Sequence, residues 1–390
     1  MVLAAATQAA RLPAPNGDEP VNGRRAFWLG LIASAIFLGA FAYLFLPRED
    51  IGRVFTDANL AFIVPSLVFY FAAVWFRSQR WRFLLRPLLG RTRRALYPVV
   101  VAGYMANNIL PVRLGELVRA YYLGLREQVS STAAFGTVVL ERASDVLALL
   151  FFVAVAWTVM PTSGLIDRLA IDVPGGAPVL VTVSLVPFVV VGVIVLGITV
   201  APRSASVSLL NRLASLAPGP LRLKTRVLAV AGRLIDGLTV IRTPRTLVTV
   251  FAVSLPVWLL EAGMYLVIGY GFGLEEHFAG LPELIAAVMM FTAVANLALI
   301  VPSASGGIGP FEFFGAATLV ALGVPEGTAA IYAVTVHVAL LLPVTVLGAL
   351  LVLADGLSFR GLIARSLGAS RASTGGVTTA SAARSTTAKE

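Results

Sequence analysis

The chain has 390 residues, 58% hydrophobic and 13% charged, with a mean hydropathy of +0.88. A soluble domain is about half apolar and about a quarter charged, so a water-soluble enzyme is excluded and an all-α polytopic membrane protein is indicated. The net charge of +10 rests almost wholly on Arg and reads as cytoplasmic loops, not nucleic-acid binding. With no Cys and only His277 and His337, disulfides, a Cys nucleophile and thiolate or histidine metal sites are excluded, and no cofactor is expected.

Residues 1–26 are polar and rich in Pro and Gly, the composition of a disordered tail. The apolar run from Phe27 to Leu46 follows Arg24-Arg25 and closes on P-R-E-D. Without a small-x-small cleavage site, it reads as an uncleaved first helix and not as a signal peptide. Further apolar runs lie near 58–76, 95–112, 133–158, 179–200, 246–270, 283–301, 311–323 and 327–353. The segment 77–97 carries seven Arg, the segment 201–245 seven Arg and Lys224, and the tail after Asp355 four Arg and Lys389. The positive-inside rule makes these three cytoplasmic, with both termini inside, and the Lys/Arg-poor segments 47–57, 159–178 and 271–282 external.

Counting crossings from those assignments leaves two stretches that enter and leave by one face. Residues 98–132 form a hairpin broken at Asn108–Gly115, and residues 283–326 form one broken at Val301–Pro310, provided 283–301 does not span alone. Each half then reads span, broken hairpin, span, about 58–158 and about 246–353, in inverted-repeat arrangement. About six to seven full spans accompany the two hairpins. The backbone breaks fall at Pro111 and Gly115 in the first half, and at Pro302, Gly306, Gly307 and Gly309 in the second. Between the halves, 204–243 reads either as a helix in the cytoplasmic interface or as a solvated basic linker, and 354–390 as a disordered tail.

Ionisable residues inside spans are costly and mark partners or a water-filled cavity. Arg113, Glu116 and Arg119 recur every three residues on one flank beside the first break. They suit either a lipid phosphate or an Arg–Glu–Arg ladder without ligand. Glu141, Arg142 and Asp145 sit early in the span 133–158, and pairing with the first hairpin is favoured over a proton-carrying acid. Glu261 lies mid-span. Glu312 follows Pro310 as a helix-capping acid would, in a break whose Gly residues also suit an anion nest. His337 reads as a hydrogen-bonded core histidine. The full set of substrate-binding candidates adds Asn108, Ser303 and Ser305 from the two breaks.

The run N-N-I-L-P-V-R-L-G-E-L-V-R-A-Y-Y-L, followed by T-V-V-L-E-R-A-S-D, resembles the lysylphosphatidylglycerol synthase transmembrane (flippase-like) family. So does P-S-A-S-G-G-I-G-P-F-E followed by G-V-P-E-G-T-A-A, and the two together cover most of 58–353. The resemblance implies an inner-membrane protein related to the domain that moves aminoacylated phospholipids between leaflets, in a family of which some members accompany polyprenyl-linked glycan pathways. It singles out Asn108, Pro111, Arg113, Gly115, Glu116, Arg119, Glu141, Arg142 and Asp145, then Pro302, Gly306, Gly307, Gly309 and Glu312. His337 departs from the Arg of many relatives. The family's aminoacyl-transferring domain is missing, so the expectation is a transporter of membrane lipids and not an enzyme. A polyprenyl-phosphate glycosyltransferase and a scaffold of envelope synthesis are the alternatives.

Overall fold

The computed structural model describes residues 21–45, 51–89, 96–110, 115–127, 131–160, 244–301 and 303–354, with isolated positions at 204, 208 and 212. The run 179–200, most of the segment 204–243 and the tail beyond Ala354 lie outside the described residues, as do Pro111, Arg113 and Pro302. Within them the chain is all helix, with no strand among the described residues.

The helices are α1 (Val21–Phe45), α2 (Ile51–Asp57), α3 (Ile63–Leu89), α4 (Tyr97–Ile109), α5 (Gly115–Glu127) and α6 (Ser131–Val159). After the undescribed stretch come α7 (Pro244–Gly271), α8 (Leu281–Ala298), α9 (Pro310–Ala321) and α10 (Glu326–Ala354). α1 begins at Val21, inside the stretch read as a tail. By length and apolarity α1, α3, α7, α8 and α10 are able to cross a membrane. The protein is therefore an all-α polytopic membrane protein.

Both helix breaks are present. α4 and α5, 13 residues each, pack on one another across the first break, and α8 and the 12-residue α9 do so across the second. At 1.5 Å per residue, α4, α5 and α9 reach only about 20 Å, short of the roughly 30 Å hydrocarbon core. The 18-residue α8 is itself long enough to cross, so length does not distinguish it from a span.

The halves exchange partners. α4 of the first half lies along α10 of the second, α8 of the second lies along α6 of the first, and α3 packs on α7. Swapping the two halves maps this pattern onto itself. The hairpin tips meet: Ser305 Oγ donates to the Ile109 carbonyl at 3.0 Å. Asn108 Nδ2 donates to the Leu341 carbonyl and Thr345 Oγ1 on α10, at 3.2 and 2.9 Å.

Glycine allows the closest approaches. A Cβ on Gly115 would lie 2.1 Å from the Gly103 carbonyl oxygen, and one on Gly348 2.6 Å from Met105 Cβ. α1 covers the second hairpin, its Phe37 ring meeting Phe313 and Phe314 at centroid distances of 5.5 Å.

Arginine placement departs from the loop reading of 77–97. α3 continues to Leu89 and carries Arg77 and Arg80 into the bundle, with Arg80 fully buried. The reason is the spacing of the buried face: Tyr70, Val74, Arg77, Trp81 and Leu84 follow one another at three- and four-residue steps.

Candidate functional site

The centre of the molecule holds a charged network built from α3, α5, α6 and α7. Arg80 Nη1 donates to Asp145 Oδ1 at 2.6 Å and to Ser254 Oγ at 2.8 Å, and its Nη2 lies 3.0 Å from Glu141 Oε1. Arg119 grips Glu141 with both terminal nitrogens, at 3.1 and 2.7 Å, the bidentate geometry that carboxylates favour. Its guanidinium sits 3.8 Å from the centre of the Trp81 ring, whose indole N–H donates to Thr137 Oγ1 at 3.0 Å. Arg142 Nη2 bridges Glu141 and Asp145 at 3.2 Å to each. Trp258 donates its indole N–H to Asp145 Oδ1 at 3.1 Å.

A second branch joins α3 to α7 through Arg77 and Glu261. Arg77 donates to Glu261, and to the Tyr104 hydroxyl at 2.9 Å. Tyr265 donates to Glu261 Oε1 at 3.2 Å, and Asn296 Nδ2 donates to the Tyr265 hydroxyl at 3.2 Å. Among the described residues of the two branches, four guanidinium groups face three carboxylates. Burial of so many charges is tolerable only because each is paired and hydrogen-bonded.

This network floors a cavity of about 380 Å³ between the hairpin tips. Arg77, Glu116, Arg142, Asp145 and Glu261 line it with Asn107, Asn108, Asn296 and His337. Leu149, Leu297, Leu340, Leu341 and Val344 form its apolar wall. Arg142 stands out among the four arginines: its side chain is 34% exposed, whereas those of Arg77, Arg80 and Arg119 are 8% or less. A guanidinium held at one end by carboxylates and open at the other is placed to take an anion.

Each hairpin break has its own local chemistry. In the first, the Asn107 side chain accepts from the Gly115 N–H at 2.7 Å and donates to Glu116 Oε1 at 3.1 Å, so it satisfies an orphan donor at the start of α5. In the second, Glu312 Oε2 accepts from the Gly309 N–H at 2.7 Å, the one half of a capping box that a glycine N-cap allows. The glycines turn the chain there with φ of 75° at Gly306, 85° at Gly307 and 104° at Gly309. Ser34 on α1 clamps the turn, its hydroxyl accepting from the Ala304 N–H at 2.7 Å and donating to the Ile308 carbonyl at 2.6 Å.

The residues singled out from sequence thus divide. Asn108, Glu116, Arg142, Asp145, Glu261 and Gly306 line the cavity. Arg119 and Glu141 are buried beneath it and paired with each other. Glu116 bonds Asn107, while Arg119 turns to α6, so the two do not form a ladder. Ser305 joins the two tips, and Ser303 is buried beside α1, where a Cβ on Gly30 would lie 2.8 Å from the Ser303 carbonyl oxygen. Sequence reasoning missed Arg77, Arg80, Asn107 and Trp258. The helical spacing of Arg77 and Arg80 with buried aromatics was the available signal; Asn107 and Trp258 carry none beyond lying in apolar runs.

The lysylphosphatidylglycerol synthase TM region model matches residues 27–348. A UPF0104 membrane protein of Methanocaldococcus jannaschii is 33% identical over 127 residues, 31% of this chain and 37% of that protein. Glycosyltransferase AglD of Haloferax volcanii is 25% identical over 334 residues, 82% of this chain and 52% of that protein. The chain therefore spans about half or less of the length of each of these relatives. No solved structure matches it. A family match running from the first helix into the last, over both hairpins and the network between them, makes the chain a member of the lysylphosphatidylglycerol synthase TM region family.

Proposed function

We propose that the protein is a membrane carrier for a lipid or lipid-linked glycan, and that the anionic head group seats in the cavity between the two hairpin tips. The observation that carries this reading is the pairing of a partly open guanidinium, Arg142, with an apolar wall in one cavity between interrupted helices. Asn107, Asn108, Asn296 and Glu116 offer donors and acceptors to the hydroxyls of the head group, and the leucines face its chain. The reading places the protein in the cell membrane with both termini cytoplasmic, in keeping with its Arg-rich segments. It takes 27–353 as one transmembrane unit of two halves joined through 204–243.

The test is translocation of a labelled phospholipid and of a polyprenyl-phosphate glycan in proteoliposomes. Arg142→Gln should lower transport at least tenfold while the protein stays folded, because Glu141 keeps Arg80 and Arg119 and Asp145 keeps Arg80. Equal transport in both proteins contradicts the site. The name of the Haloferax relative favours a second reading, sugar transfer to a prenyl phosphate. Purified protein that transfers sugar to a prenyl phosphate without moving lipid would replace the carrier with that enzyme.

A further inference from the structure

We propose that Glu312 and His337 together form a proton-binding site that holds the tip of the second hairpin through the Gly306 carbonyl. His337 Nδ1 lies 2.6 Å from Glu312 Oε1, and its Nε2 lies 3.1 Å from the Gly306 carbonyl oxygen. A neutral imidazole has one N–H and one bare nitrogen, whereas an ionised carboxylate and a carbonyl are both acceptors. One proton is therefore missing from the neutral-His, ionised-Glu pair.

Two arrangements supply it. Either the ring is an imidazolium that donates at both nitrogens, or Glu312 is protonated and donates to Nδ1 while Nε2–H donates to Gly306. Both hold one proton more than the neutral-His, ionised-Glu pair, and in both Nε2 carries hydrogen. The other Glu312 oxygen is already engaged by the Gly309 N–H. The Phe311 ring stacks on the imidazole at 4.2 Å and fixes its plane. His337 and Gly306 line the cavity, which gives the proton a route to the pair, and Glu312 is not among the lining residues.

The surroundings of the pair are charged. Around the cavity stand Tyr70 and Arg77 on α3, Tyr104 on α4, Glu116 on α5, Arg142 and Asp145 on α6 and Glu261 on α7. α2 also packs on α10 and carries an exposed Asp57, and the described side chains of α1 bring no charge. Loss of the proton leaves the Gly306 carbonyl without its donor or sets two lone pairs against each other at Nδ1. Either outcome loosens a tip whose glycines already hold left-handed φ. The same helix, α10, bonds the first tip one and two turns later through Leu341 and Thr345, so the proton acts where both tips are held. The proposal does not depend on which molecule the cavity takes.

The chain's two histidines make the test direct. The full chain, labelled with ¹⁵N-histidine in lipid nanodiscs, is followed by NMR between about pH 5 and pH 8, with exposed His277 as internal reference. At neutral pH His337 should carry a hydrogen on Nε2, and Glu312→Gln should change the state of its Nδ1. A His337 with a bare Nε2 and a proton on Nδ1 at neutral pH overturns the proposal, as does a ring whose nitrogens are unchanged by Glu312→Gln. His337→Phe, which keeps the stacked ring and loses the donor, should speed amide exchange at Gly307 and Gly309 at least tenfold. Unchanged exchange there overturns the link to the tip.

Discussion

The two hairpins solve one problem, a helix interrupted inside a membrane protein, with different chemistry. The first is held by fixed charge: α5 sends Arg119 into Glu141, and Arg80 and Arg142 share the same acids. The second has no arginine in its helices or its break, and is held by glycine turns, a serine from α1 and the Glu312–His337 pair. Guanidinium groups stay charged at any physiological pH, whereas a His–Glu pair gains and loses a proton. Charge pairs thus hold the first hairpin and, on the proposal above, a proton-binding pair holds the second, although the halves exchange helix partners symmetrically.

The largest effect that sharpens this contrast is at Glu141. Glu141→Gln takes away the carboxylate shared by three arginines and should cost about 3–5 kcal/mol, read as loss of folded protein in thermal unfolding. Glu312→Gln preserves an acceptor for Gly309 and should cost no more than about 1–2 kcal/mol. Equal losses would erase the distinction between a charge-held and a cap-held hairpin.

Next is the close packing of the first hairpin. Gly115→Ala forces a methyl against the Gly103 carbonyl and should cost about 1–3 kcal/mol or prevent folding. Gly39→Ala on α1, with nothing within 4 Å of the new carbon, should be neutral or stabilising by up to about 1 kcal/mol. Smallest is the α1 clamp. Ser34→Ala removes two hydrogen bonds from the second tip, costs about 1–2 kcal/mol and should raise amide exchange at 304–309 while leaving α5 unchanged. Exchange that rises in both hairpins would mean that the tips move as one body.

Much of the architecture was legible because Pro and Gly interrupt apolar runs, and because Glu141, Asp145 and Glu261 are conspicuous in such runs. Arg77 and Arg80 were not, since counting positive residues assigns them to a loop before their helical spacing with Tyr70, Val74 and Trp81 is considered. Ser34 gives no local sign of its role, because its partners lie 270 or more residues away. Asn107 is uncharged and next to the more suggestive Asn108, yet it is Asn107 that caps α5. Sequence pattern thus locates charge and backbone breaks, while long-range hydrogen bonds decide which side chains serve them.

The most direct test of the central claim is retention of a phosphate-headed lipid by the purified protein in native mass spectrometry. Three proteins are compared: the wild type, Arg142→Gln at the cavity, and Arg86→Gln at an exposed arginine of the same charge on α3. The account predicts that wild type and Arg86→Gln hold the lipid alike and that Arg142→Gln loses it at least tenfold. Equal retention by all three would contradict a head-group site between the hairpins.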